Sequence, residues 1–244
     1  MTFAFIFPGQ GSQSVGMGKD LAEAFPAARR VFEEVDDALD QKLSDLMFNG
    51  PIEDLTLTTN TQPALMACSM AVMAVLAQDF EIDVKKASFA AGHSLGEYSA
   101  LCAAGSISLA DTARLLRIRG DAMQAAVPVD AGAMAALLGA SVEQAEAAAE
   151  AGSKHGICQI ANDNATGQIV LSGEKDAVQA AVDACSDLGI KKAMMLNVSA
   201  PFHCDMMMPA AAKMREALAH QTILEPSVPV VNNVTARPVT EPDQ

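Results

Sequence analysis

No CxxC pair occurs among the five cysteines of this chain, Cys68, Cys102, Cys158, Cys185 and Cys204, which are odd in number and widely scattered. That spacing argues against a disulfide framework and a zinc site, and suits small buried residues in a reducing compartment. None of the four histidines, His93, His155, His203 and His220, stands at ligand spacing with a carboxylate or thiol partner, so no metal is expected. A basic leader is also missing. Met1-Thr2-Phe3-Ala4 runs straight into an apolar stretch and Pro8-Gly9, so no secretory signal is read and the cytoplasm is the expected location. Cationic residues are few, 16 Lys and Arg against 30 Asp and Glu, and the net charge of -14 disfavours nucleic acid, whose phosphates need lysine and arginine. Lys191-Lys192, Lys213 and Arg215 could meet an acidic partner, although isolated solvated cations explain them as well. The longest apolar run, 64–77, falls short of the roughly 20 residues that cross a bilayer. Pro63 stands where a first helical position would be, so the run is read as a helix buried on all sides, not as a membrane span.

What is present is ample apolar material. A chain of 244 residues that is 50% hydrophobic can fill the core of one large domain, or of one domain carrying an insertion. Short apolar runs alternate with longer helical patterns: a strand over 3–7, a helical region over 21–46, the buried helix, and a second strand over 88–91. That order predicts an α/β domain with a parallel sheet and helices. From 131 to 197 the texture changes. A strand over 134–138 is followed by Ser141-Val142-Glu143-Gln144, a capping-box pattern opening an alanine-rich helix. Strands over 157–161 and 168–171, a helix over 174–188 and a strand over 192–196 complete a β-α-β-β-α-β order, the ferredoxin-like pattern. The expected organisation is a large domain of 1–128 and 199–244 with an inserted ferredoxin-like subdomain at 129–198.

Chemistry enters at Gly92-His93-Ser94-Leu95-Gly96. In G-x-S-x-G the glycines permit a sharp strand-to-helix turn that holds the serine hydroxyl up at the strand's end. A strand candidate precedes Ser94 and a helix candidate follows it, so the helix N-terminus would face charge forming beside the hydroxyl. A turn serine capping that helix is the competing reading. A serine needs a base. His93 would be pointed away by the turn, His155 lies in a polar loop, and His220 follows an exposed helical pattern. His203 comes where the chain returns from the small subdomain to the large one, a position that favours it. The Gly9-Gln10-Gly11 loop is not a nucleotide motif, because Ser14 replaces the last glycine of a dinucleotide fingerprint and Met17 the lysine of a P-loop. It can instead bring a backbone N–H to a substrate oxygen, and with the Leu95 N–H complete an oxyanion hole; an ordinary turn is the alternative.

Phe7-Pro8-Gly9-Gln10-Gly11-Ser12-Gln13, Asn60-Thr61-Gln62-Pro63-Ala64, Gly92-His93-Ser94-Leu95-Gly96-Glu97-Tyr98-Ser99-Ala100-Leu101, Arg119-Gly120 and the His203 region occur in one order along the whole chain. Together they resemble the malonyl-CoA:acyl carrier protein transacylases of type II fatty acid synthesis. The resemblance implies a hydrolase-like α/β domain with a ferredoxin-like insertion, needing no cofactor, with malonyl-CoA as substrate and holo-acyl carrier protein as partner. It implies ping-pong transfer in which Ser94 is acylated, His203 is base and then acid, and the backbone N–H groups of Gln10 and Leu95 hold the oxyanion. Arg119 would pair bidentately with the malonyl carboxylate, and Gln62 and Phe202 would line the pocket, Phe202 favouring malonyl over methylmalonyl. Without the resemblance, Arg114, Arg117 and Arg119 read as one solvated helical pattern. The family also carries a C-terminal segment, beyond the strand at Val230-Val231-Asn232-Asn233, whose backbone carbonyl orients the histidine, and a chain ending at Gln244 is expected to be shorter than that. Asp205 is a further candidate to orient His203, although it stands close in sequence for that task. A monomer is expected. A serine esterase or thioesterase, and a non-catalytic module binding coenzyme A or carrier protein, remain the alternatives.

Overall fold

A computed structural model of the chain describes residues 2–128, 130–196, 198 and 200–242. Val129 and Ser199, which adjoin the expected subdomain boundaries, lie outside the described residues, as does Asn197. In chain order the strands are β1 (Ala4–Phe7), β2 (Phe89–Gly92), β3 (Gly132–Leu138), β4 (Cys158–Ala165), β5 (Gln168–Glu174), β6 (Lys192–Met195), β7 (Val230–Val231) and β8 (Pro238–Val239). The helices are α1 (Lys19–Ala24), α2 (Pro26–Leu39), α3 (Leu43–Asn49), α4 (Ile52–Thr56), α5 (Thr58–Asp79), α6 (Leu95–Ala103), α7 (Leu109–Ala125), α8 (Val142–Ser153), α9 (Lys175–Ala184) and α10 (Met208–Ala219). The chain divides into two compact units, Met1–Gly120 with Glu216–Gln244, and Asp121–Arg215.

The first unit is built on a sheet of order β1-β2-β7-β8. β1, β2 and β7 run parallel, with Phe7 opposite Gly92 and Ala91 opposite Val231, and β8 closes the edge antiparallel to β7. β2 is therefore interior, and its small residues leave room for helices to pack: Ala90 is fully buried among Leu95, Ala100, Leu65 and Met66. Parallel strands need such crossover helices, and the loops that carry Gln10 and Ser94 leave the sheet at the carboxyl ends of β1 and β2.

The helical region expected over 21–46 is three helices. Pro26 cannot donate an N–H and starts α2 as its first residue. Asp40 ends α2 in the left-handed conformation, φ 48°. Asp36 then joins α2 to α3, accepting from the Ser44 N–H at 2.8 Å and the Ser44 hydroxyl at 2.7 Å. The buried helix also begins earlier than expected. The Leu57 carbonyl accepts from the N–H groups of Asn60 and Thr61, both at 2.8 Å, so the first turn forms ahead of Pro63, which sits inside α5. By length and composition α5 could cross a membrane, the one helix among the described residues that could, yet Gln62 to Ala67 are all buried within the protein.

The second unit has an antiparallel sheet of order β4-β5-β3-β6 with α8 and α9 supplying one apolar layer. Leu137, Leu171, Ala145, Ala148, Ala177 and Val178 are fully buried in it. Small alanines let the two helices lie close to each other and to the sheet. The capping box is formed: the Ser141 hydroxyl accepts from the Gln144 N–H at 3.2 Å and the Gln144 side chain accepts from the Ser141 N–H at 2.9 Å.

Candidate active site

β2 stops at Gly92 and α6 starts at Leu95, leaving two residues to reverse the chain. Ser94 takes φ 54° and ψ -109°, a conformation costly for any residue with a Cβ and kept only where the surroundings impose it. The flanking glycines are explained by space. A Cβ on Gly92 would lie 1.9 Å from the Gly96 carbonyl, and one on Gly96 would lie 2.4 Å from the Phe7 oxygen. Strand, helix and the end of β1 thus meet backbone to backbone. Gly96→Ala is expected to cost about 3 kcal/mol or more, because its methyl would meet the main chain of Phe7 and Pro8, which cannot swing aside. Thermal denaturation checks this, and an unchanged midpoint would contradict the packing argument.

Around the Ser94 hydroxyl the first unit places a cation. Arg119 Nη2 donates to Ser94 Oγ at 3.0 Å and Nη1 donates to Gln62 Oε1 at 2.6 Å. The guanidinium carbon stands 5.7 Å from the Tyr98 ring centroid, a cation–π contact that favours the charged form. Burial pushes the Arg119 pKa below its usual value, while Tyr98 and Glu97 act against that shift; an arginine stays protonated regardless. Glu97 is raised chiefly by burial, with the Asn233 backbone N–H and Arg119 opposing. The three arginines of α7 thus differ. Arg114 is at the surface with Asp111 at 3.0 Å, Arg117 donates to Thr59 and Asn60 of α5 at 3.1 and 3.0 Å and also to Gln41, and Arg119 faces the serine. Arg117 ties α7 to α5, and so brings Arg119 to Gln62.

The loop after β1 is held by Gln10, whose Nε2 donates to Thr58 Oγ1 at 3.3 Å, and by the Gly11 N–H donating to Gln13 Oε1 at 2.8 Å. The backbone N–H groups of Gln10 and Leu95 have no acceptor among the described residues. Both are therefore available to an external oxygen.

His203 and Phe202 belong to the second unit. Phe202 is buried with Met123, Val127, Met134 and Met207, and His203 follows it at φ 60°, ahead of a short 3-10 helix at Asp205–Met207. Asp205 is engaged elsewhere: its carboxylate accepts from Gln159 Nε2 at 2.8 Å and its N–H donates to Gln159 Oε1 at 2.7 Å. This reciprocal pair anchors the histidine loop to β4. Among the described residues no three His, Cys, Asp or Glu side chains gather to hold a metal ion.

Sequence reading missed Asn233 at the Ser94 turn. Its Oδ1 accepts from the Ser94 N–H at 2.8 Å, its Nδ2 donates to the Gly92 carbonyl at 2.7 Å, and its own N–H donates to Glu97 at 3.0 Å. The available signal was a polar Asn232-Asn233 pair directly after a parallel strand, where ligand sites gather.

Residues 4–244 match the family model for the acyl transferase domain. A malonyl CoA-acyl carrier protein transacylase of Bacillus subtilis is 47% identical over 98% of this chain and 74% of its own length. The crystal structure of an acyl-carrier-protein-S-malonyltransferase from Bartonella henselae superposes with a TM-score of 0.96 at 58% identity, covering all of this chain (100%) and 77% of that one. A malonyl-transacylase solved in complex with its type II PKS acyl-carrier protein gives 0.93 at 44% identity, over 99% of this chain and 77% of that one.

Proposed function

This chain belongs to the acyl transferase domain family, and from that membership we propose that it transfers malonyl from malonyl-CoA to the phosphopantetheine thiol of acyl carrier protein, supplying fatty acid synthesis. The observation that carries the malonyl assignment is Arg119 within 3.0 Å of Ser94 Oγ. In a malonyl ester a single methylene separates the acyl carbon from the free carboxylate. A cation for that carboxylate must therefore stand within a few ångströms of the nucleophile, held in place as Gln62 holds Arg119. A buried carboxylate without it would lose its hydration uncompensated.

The Ser94 hydroxyl attacks the thioester carbonyl as His203 takes its proton. The oxyanion is received by the Gln10 and Leu95 N–H groups, aimed with the positive end of α6. Collapse breaks the C–S bond, and His203 returns the proton to the departing coenzyme A thiolate. The carrier thiol then attacks the malonyl-serine ester, with His203 taking the thiol proton and giving it to Ser94 Oγ. Phe202 shapes the acyl end of the pocket. No cofactor enters these steps. We read residues 1–128 and 199–244 as the acyltransferase domain, 129–198 as its ferredoxin-like insertion, and the protein as a cytoplasmic monomer; the second compact unit, Asp121–Arg215, is wider than that insertion because the end of α7 and the histidine loop with most of α10 pack with it.

Intact-protein mass spectrometry tests the reading. Malonyl-CoA is expected to add one malonyl mass, located on Ser94, and holo-acyl carrier protein to remove it. No adduct overturns the transferase reading; rapid loss of the adduct to water makes the protein a hydrolase.

A further inference from the structure

Asn233 lies 139 residues from Ser94 in sequence and makes a hydrogen bond to its backbone. The parallel ladder between β2 and β7 pairs Ala90 with Val230 and Ala91 with Val231, then stops. Beyond it the Gly92 carbonyl and the Ser94 N–H have no strand to pair with, because the chain is turning through the strained serine. The Asn233 side-chain amide takes the place of a peptide group, accepting from one at 2.8 Å and donating to the other at 2.7 Å. A third bond, from the Asn233 N–H to Glu97, ties the same residue to the first turn of α6. Asn233 therefore touches the strand before the nucleophile, the nucleophile itself and the helix after it.

The loop that presents Asn233 is shaped without its side chain. Asn232 Oδ1 accepts from the Thr235 N–H at 2.8 Å and from the Thr235 hydroxyl at 2.7 Å, and the Asn232 N–H donates to the Arg237 carbonyl at 3.1 Å. Asn233 itself is solvent-facing, so its side chain fills no core. What its amide does is specific to the turn.

We propose that Asn233 is a positioning residue for the reaction assigned above, holding the left-handed backbone of Ser94 and hence the direction of its hydroxyl. This rests on Ser94 being the nucleophile, but not on the identity of the acyl group. The amide is suited to the task because it supplies one acceptor and one donor in fixed geometry. A carboxylate of the same shape supplies only acceptors and would set an oxygen against the Gly92 carbonyl. A protonated carboxyl supplies both again.

The experiment follows the rate of Ser94 modification in wild type, Asn233→Ala and Asn233→Asp, with malonyl-CoA and separately with a fluorophosphonate, in which Ser94 Oγ displaces fluoride from phosphorus. Asn233→Ala is expected to slow both reactions about 10- to 100-fold, the scale of small misplacements of a reacting group, with the half-saturating malonyl-CoA concentration little changed. Asn233→Asp is expected to be equally slow at about pH 8 and to recover, as a ratio to wild type, as the pH falls through the carboxyl range towards about 4 and its carboxyl takes up a proton. Glu97 and Arg119, the charged groups beside the site, are present in both proteins, and the Glu97 carboxylate, which accepts from the residue-233 N–H, favours the protonated form of the new carboxyl. Wild-type rates in folded Asn233→Ala, or a pH-independent ratio for Asn233→Asp, would overturn the proposal. So would failure of both variants to fold, since Asn233 would then serve the fold rather than the turn. Failure of the wild type with malonyl-CoA but not with the fluorophosphonate would reject the malonyl reading alone.

Discussion

Ser94→Ala is expected to carry no acyl group after incubation with malonyl-CoA and to lose transfer on the order of 10⁴-fold or more, the scale on which removing a covalent nucleophile acts. The effect is large because the proposed route passes entirely through the serine ester. The fold should be retained. Alanine has the same Cβ as serine, so the strained backbone is no more strained, and Asn233 bonds to the Ser94 main chain, not to its hydroxyl. Arg119 loses one acceptor but keeps Gln62. Mass spectrometry and circular dichroism together make the check. An adduct of normal mass on the variant would move the acyl-accepting position elsewhere.

Arg119→Ala is expected to reduce malonyl transfer by about 10²- to 10³-fold, because truncating one partner of a buried charge pair leaves the other uncompensated at about 3–5 kcal/mol. Acetyl transfer should be spared or improved, since an acetyl group brings no carboxylate to the emptied space. The sign of the difference matters more than its size: a pocket built around a guanidinium selects by charge. Arg119→Lys should recover only part of the malonyl activity. The ammonium lacks the planar fork that can pair bidentately with a carboxylate while Gln62 holds it in orientation. Parallel assays with malonyl-CoA and acetyl-CoA on each variant decide it, and an equal loss for both acyl groups would sink the selective role.

The strand-to-helix turn at Ser94 was legible because its requirements are local. Gly92, Ser94 and Gly96 stand at fixed offsets, and a strand pattern before them and a helix pattern after them suffice to predict a raised serine. The capping box at Ser141 and Gln144 was legible for the same reason, both partners lying within one turn. Other elements were not. Pro26 and Asp40 divide what periodicity alone joins into one helix, since an apolar pattern at helical spacing continues across a break that only backbone geometry reveals. Arg119 shares its helical pattern with Arg114 and Arg117, and spacing on one helix does not tell which arginine faces a serine on another element.

By itself, then, the sequence determined the alternation of strands and helices, the strand-serine-helix turn and the set of motifs that place the chain in its family, because each is written in neighbouring residues. Tertiary structure decided what surrounds the serine. The parallel sheet brings the carboxyl end of β7 beside that of β2, so Asn233 meets Gly92 and Ser94. Arg117 holds α7 against α5, so Arg119 meets Gln62 and the hydroxyl. These are contacts between residues tens to more than a hundred positions apart, and no local propensity encodes them; they exist only once the sheet and its helices have packed.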